Sequence, residues 1–204
     1  MVFFKINLKI KEAINDFKKG KFVIVLDSKS RENEADIILA AEKATPKKIN
    51  FMIKNAGGLV CVPMLGKRLD ELKLPLMTKT NTEFTKTAFT ISVDAKKNTK
   101  TGISAFDRAK TIKALVNKNT KPEDLARPGH VFPLRCEKYG LKKRLGHTEA
   151  AIELCRLANL YPAAVICEII GENGKMARMP EIKRFANKYD LKMIRIRGLV
   201  EYSK

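Results

Sequence analysis

Short apolar runs limit what this chain can fold into. KFVIVLD (21–27), DIILAAE (36–42), LVCVP (59–63) and PAAVICEII (162–170) are strand-length and apolar at almost every position. That is the pattern of strands buried on both faces. Between these runs the apolar spacing becomes helical. Ile10, Ala13, Ile14 and Phe17 share one face of a helix over 9–19, which Gly20 stops. Thr45 and Pro46 fit the N-cap and first turn of a helix that runs to about Asn55 and ends at Gly57-Gly58. Helices are also expected over 105–118, 147–160 and from Pro180 to about Tyr189. Further strands are expected over 87–95, in HVFPLRC (130–136), where Pro133 is a weakness, and in LKMIRIRG (191–198). Residues 66–85 read as irregular, with one helical turn and a polar loop. The strands and helices alternate without a low-complexity linker. This predicts one α/β (α+β) domain, a mixed sheet covered by helices. The polar link 28–35 joins two adjacent strands, so at least one pair should be antiparallel.

The chain has 204 residues, 45% of them apolar, enough for a core without disulfide staples. Its four cysteines form no CxxC pair and have no metal-ligand spacing to a histidine. Cys155 and Cys167 lie in apolar stretches and read as buried thiols. The N-terminal stretch MVFFKINLKIKEAI carries no long apolar run, so neither a secretory leader nor a membrane span is expected, and the expected location is cytoplasmic. The formal net charge of +19 raises a rival reading, a basic nucleic-acid-binding protein whose binding would fall steeply with salt. The lysines, however, are spread in ones and twos (Lys18 and Lys19, Lys47 and Lys48, Lys96 and Lys97, Lys142 and Lys143), with no basic tail. Solvated helix faces account for that distribution, and no nucleic-acid partner is expected. A positive field would still attract a phosphorylated small molecule.

Four polar stretches carry chemistry. Arg31-Glu32-Asn33-Glu34-Ala35-Asp36 puts three carboxylates within five residues. It is either a solvated acidic turn or a hard-cation site, since Mg²⁺ takes one or two protein carboxylates and keeps other oxygens. Thr101-Gly102-Ile103-Ser104-Ala105-Phe106-Asp107-Arg108 opens a helix. It is either an anion site at free amides or a Ser104 cap with Asp107 in support. The only two histidines close matching phrases, Arg127-Pro128-Gly129-His130 and Arg144-Leu145-Gly146-His147. Arg144, Thr148 and the helix amides suit a phosphate, and the His147 imidazole suits a metal. His130 sits in a Pro-Gly loop, and Pro128 already fixes a turn after Arg127. Finally, Glu168 is a carboxylate in an apolar strand. It either caps the sheet edge or works as an acid or base.

RENEAD, TGISAFDR, RPGHVFPL, RLGHTEA and the Glu of VICEI, in this order, resemble the 3,4-dihydroxy-2-butanone 4-phosphate synthase family. The resemblance runs from the first helix to MIRIRGLVEY. It implies a lyase of riboflavin biosynthesis that converts D-ribulose 5-phosphate to 3,4-dihydroxy-2-butanone 4-phosphate and formate. It further implies Mg²⁺ (or Mn²⁺) as cofactor and a homodimer with active sites at or near the subunit interface. Residues 1–204 would form one synthase domain, without the GTP cyclohydrolase II domain of many bacterial relatives. By the same resemblance Glu32 and His147 hold the metal, and His130 and Glu168 are catalytic. Substrate contacts would come from Arg31, Glu32, Asp36, Thr101, Arg144, Leu145, Gly146, His147, Thr148 and Glu168, with Arg144 and Thr148 on the phosphate. Cys61 matches a cysteine near the family's site. The family has Gly where this chain has Ala35 and Leu145. A positive φ at position 35 would strain Ala by about 1 kcal/mol.

Overall fold

The computed structural model describes residues 2–203, with side chains from Leu8 onward. Seven strands among these residues form one mixed sheet: β1 Val23–Leu26, β2 Ala35–Ala40, β3 Cys61–Met64, β4 Val93–Ala95, β5 Leu125–Arg135, β6 Ala164–Glu168 and β7 Lys192–Arg195. Their spatial order is β4-β5-β3-β6-β2-β1-β7. β1 and β2 pair antiparallel across the 28–35 link, as its length predicted, with Val25 opposite Asp36 and Leu26 opposite Ala35. β2 runs antiparallel to β6, with Asp36 opposite Glu168. β3 pairs parallel with β5, and β1 parallel with β7.

The helices are α1 Val2–Lys18, α2 Pro46–Phe51, α3 Gly66–Glu71, α4 Ala105–Val116, α5 His147–Leu157, α6 Met179–Lys188 and α7 Ile196–Tyr202. Side chains alternate across the sheet, so each strand serves two cores. On one face Ile24, Ile37, Leu39, Val62 and Val165 pack with Ile49, Ile112, Leu115 and Ile182 from α2, α4 and α6. On the other, Val23, Val25, Ile38, Cys61 and Ile166 pack with Ile10 and Phe17 of α1, Ala150 and Leu154 of α5, and Leu199 of α7. Each Val, Leu, Ile or Phe side chain so removed from water contributes about 1.5–3 kcal/mol, which explains the unbroken apolar runs. The expected caps are present: Thr45 accepts from the Lys48 N–H, and Ser104 accepts from the Asp107 N–H.

Several expectations need correction. The 87–95 run is a strand only over Val93–Ala95. Its start is drawn into a polar network, in which Glu83 accepts from the Thr85 and Thr87 N–H groups, and Phe89 and Thr90 form only isolated bridges. Those sparse bridges also accommodate Pro133 inside β5, where its carbonyl accepts the N–H and hydroxyl of Thr90. LKMIRIRG stops being a strand at Arg195 and turns into α7. Ile196, Leu199 and Val200 have helical spacing, and Ile196 and Leu199 are buried by that turn.

Candidate active site

The RENEAD loop is organised by a residue that the sequence reading passed over. Asp27 ends the apolar run FVIVL and is buried. Its two carboxylate oxygens accept the N–H groups of Glu32 and Glu34, both at 2.9 Å, and Arg31 donates to it at 3.2 Å. Arg178, just ahead of α6, donates to the carbonyls of Asn33 (2.6 Å) and Glu32 (3.3 Å). The loop's left-handed residue is Asn33, at φ 55. Ala35 is an ordinary strand residue, so the expected strain at position 35 is absent.

The carboxylates of this loop meet His147, the first residue of α5. The His147 Nε2 lies 3.2 Å from the Val25 carbonyl, which can only accept, so Nε2 carries a proton. In the neutral ring the lone pair is then on Nδ1. That nitrogen faces Glu32 Oε2 at 3.6 Å and Asp36 Oδ1 at 3.9 Å. Arg31 donates to Glu32 Oε2 at 2.6 Å, and a proton or a metal among the three acceptors would offset the rest of their repulsion. Without metal the proton is strongly held. Burial works against the imidazolium, but Asp36, Glu32 and Asp27 outweigh it and push His147 up to about 9. Burial, with Glu168, Glu32 and Glu34 nearby, pushes Asp36 up to about 7 despite His147. Burial also disfavours ionised Glu32, yet His147 and Arg31 prevail and hold it below the usual carboxylate range.

These groups line a cavity of about 280 Å³ with Arg31, Glu34, Cys61, Thr87, Arg144, Thr148 and Glu168. Glu168, at the end of β6, accepts the Leu59 N–H at 2.8 Å and so ties β6 to the segment entering β3. Cys61 lies in the cavity wall, and all four cysteines are free and buried. Burial raises the Cys61 thiol well above its ordinary range, so it is not a thiolate. Arg144 reaches the cavity held by Glu149 at 2.7 Å and the Thr87 hydroxyl at 3.0 Å. Among the described residues no three His, Cys, Asp or Glu side chains form a ready metal cage. Glu32 and His147 still suit Mg²⁺, which binds through few protein donors and fills its shell with water and substrate oxygens.

The structure therefore brings together Arg31, Glu32, Asp36, Arg144, His147, Thr148 and Glu168. Gly146 stands beside the cavity against Arg144, and Leu145 points outward, 53% exposed. Thr101 and His130 do not line this cavity. Thr101 is exposed on the loop that leads to Gly102, and beside that glycine the His130 ring meets Asp94 at 2.7 Å. Arg127 serves the fold, donating to the carbonyls of Leu72, Pro122 and Leu125. Asp27, Asp94 and Glu149 were missed by the sequence reading, although the first two are legible as single acids in FVIVLD and ISVDA. A larger cavity, about 920 Å³, lies beyond Arg144. Of its acids Asp70, Glu71 and Glu149 are paired with Arg135, Arg68 and Arg144, and no histidine lines it.

A family model for 3,4-dihydroxy-2-butanone 4-phosphate synthase matches residues 11–202. The Agrobacterium fabrum protein of that name is 53% identical over 96% of this chain and 92% of its own length. The riboflavin biosynthesis protein RibBA of Synechocystis is 56% identical over 95% of this chain. The chain spans 35% of that relative's length. A crystal structure of a 3,4-dihydroxy-2-butanone 4-phosphate synthase in complex with two magnesium ions superposes with a TM-score of 0.90, at 43% identity and covering 95% of both chains. The fold is thus that of a known class of mixed-sheet biosynthetic enzymes. The chain belongs to the 3,4-dihydroxy-2-butanone 4-phosphate synthase family.

Proposed function

We propose that this protein is a lyase of riboflavin biosynthesis that converts D-ribulose 5-phosphate to 3,4-dihydroxy-2-butanone 4-phosphate and formate. The observation that carries the reading is the His147 Nδ1 facing Glu32 and Asp36 inside the cavity, in a chain of this family. Glu32 and His147 would hold Mg²⁺ (or Mn²⁺), which supplies a Lewis acid for neighbouring sugar oxygens. Arg31 and Asp36 orient the sugar hydroxyls from the cavity wall. Arg144 and Thr148, with the first amides of α5, hold the phosphate, whose remote binding energy fixes the sugar in register. Glu168 and His130 move the protons that enediol formation, loss of water and carbon migration require. General acid–base work of this kind contributes about 10²–10⁴-fold.

His130 stands outside the cavity of its own chain, so we further propose a homodimer that joins the two clusters. Leu59, Ile103 and Phe106 support this: they are large, apolar and 42%, 52% and 66% exposed, beside Glu168 and around Gly102. Apolar groups gathered at a site's edge suit a partner surface. No helix among the described residues is long and apolar enough to cross a membrane. The deciding experiment is formate release from D-ribulose 5-phosphate with Mg²⁺ and with EDTA, beside His130→Ala. Metal-dependent formate that disappears in the variant is expected. Folded, Mg²⁺-loaded protein that releases none would refute the proposed reaction.

A further inference from the structure

The phrase Arg127-Pro128-Gly129-His130 occupies an irregularity in the sheet. Val93 of β4 pairs with Val131, but the next residue, Asp94, pairs with Ala126. Four residues of β5 are thus set out between two adjacent residues of β4. The carboxylate of Asp94 fills the space so made. Its Oδ1 accepts the His130 N–H at 2.9 Å, and its Oδ2 lies 2.7 Å from the ring Nδ1. The Asp94 side chain is 12% exposed, whereas that of His130 is 42% exposed. The Thr101–Ser104 loop closes the third side. At Gly102, φ is +88, and a Cβ there would lie 2.0 Å from Asp94 Oδ2 and 2.7 Å from His130 Nδ1. Asp107 holds that glycine in place by accepting its N–H.

An ionised carboxylate has no proton to donate, so Nδ1 must be the nitrogen that carries hydrogen in the neutral ring. The lone pair is then on Nε2, at the exposed end. We propose that Asp94 is the positioning residue of His130, fixing the Nδ1–H tautomer and presenting Nε2 as the proton acceptor. This gives the Thr101–Ser104 loop a role beside the Ser104 cap: it approaches the pair at Gly102, where any side chain would collide with Asp94 and His130. The proposal rests on the reading of His130 as a proton carrier, stated above.

The test uses ¹⁵N-labelled full-length protein and long-range ¹H–¹⁵N spectra of its imidazoles. The chain has two histidines, so His147→Gln assigns both ring systems. Wild-type His130 should show the Nδ1–H pattern. In Asp94→Asn the side-chain amide donates to Nδ1, so the pattern should switch to Nε2–H. The same variant should lose about 10²-fold or more in kcat with KM nearly unchanged. The double variant Asp94→Asn/His130→Ala should be no slower than His130→Ala, because the two act as one unit. A wild-type ring in the Nε2–H form overturns the proposal without need of any variant. So does an Asp94→Asn protein that keeps both tautomer and kcat. A tautomer that switches while His130→Ala retains full kcat would instead overturn the reading of His130 as a proton carrier.

Discussion

Gly146 offers a sharp test of how the Arg144 end of the cavity, the proposed phosphate site, is built. Its φ is −106, which any residue adopts, so its backbone does not demand glycine. Space does. A Cβ at position 146 would lie 2.1 Å from Arg144 Nη1 and 2.7 Å from Glu149 Oε2. In Gly146→Ala the guanidinium is the part able to move, and moving it breaks the 2.7 Å pair with Glu149. The Glu149 side chain is 1% exposed and keeps only the Glu137 N–H at 3.1 Å among its hydrogen bonds. Removing one partner of a buried pair costs about 3–5 kcal/mol. Arg144 is 22% exposed and is displaced rather than lost, so about 2 kcal/mol is the reasonable figure. For a chain of this length that corresponds to a Tm lower by about 4–8 °C. If Arg144 holds the phosphate as proposed, its displacement also forfeits charge-assisted bonds, each about 1.5–3 kcal/mol, so KM for D-ribulose 5-phosphate should rise about tenfold or more. Differential scanning calorimetry and initial rates of formate release read the two effects. A variant with Tm within about 1 °C of wild type and an unchanged KM would refute both the packing argument and Arg144 as phosphate anchor.

Three further outcomes are expected. Glu32→Gln should weaken Mn²⁺ binding by at least about tenfold in equilibrium dialysis while the metal-free protein stays folded, and unchanged binding would remove Glu32 from the metal site. Arg178→Met deletes the bonds to the Glu32 and Asn33 carbonyls, and because Arg178 is exposed a modest loss of Mn²⁺ affinity, about two- to tenfold, is the expected result. In the metal-free protein His147 and Asp36 are raised to about 9 and about 7, above their ordinary values. Groups raised by folding stabilise most at low pH, so urea midpoints should fall as pH climbs from about 6.5 to about 9, and a midpoint that rises over that range would contradict the raised imidazole.

Much of this was legible in the chain because apolar runs and helical spacing follow burial directly. Ile10, Ala13, Ile14 and Phe17 announce α1 and its buried face, and Thr45-Pro46 announces the start of α2. What escaped was decided by contacts distant in sequence. The helical spacing of Ile196, Leu199 and Val200 is too short to set against the apolar run before it, and it is settled only when α7 packs on α1, α5 and β7. Thr87 alternates like a strand residue, but its partners are Glu83 and Arg144. The site divides in the same way. Glu32, His147, Arg144 and Glu168 could be picked out as polar residues in unusual settings. Asp27 and Asp94 stand out only as single acids in apolar runs and Glu149 not at all, since their work is to hold another side chain or an amide, and that is visible only when the partner is in place. The concern over Ala35 failed for a related reason: the loop's left-handed turn falls on Asn33, and position 35 is already strand.

The charge distribution acquires a sense once the site is in view. The chain carries +19, yet its candidate cavity is acidic, with Glu32, Glu34, Asp36 and Glu168 in its wall. These carboxylates repel one another, and burial raises both Glu34 and Asp36. A sugar phosphate would meet a repulsive pocket unless a cation reached it first. The acidic wall attracts a divalent metal locally, while the lysines attract a dianion from farther out. Beyond about 10 Å such attraction is screened by salt, so the lysines govern encounter rather than affinity. On the proposed function, affinity for the phosphate would fall to the few cations inside the cavity rim, and Arg144, held in place by the buried Glu149, is the candidate to supply it.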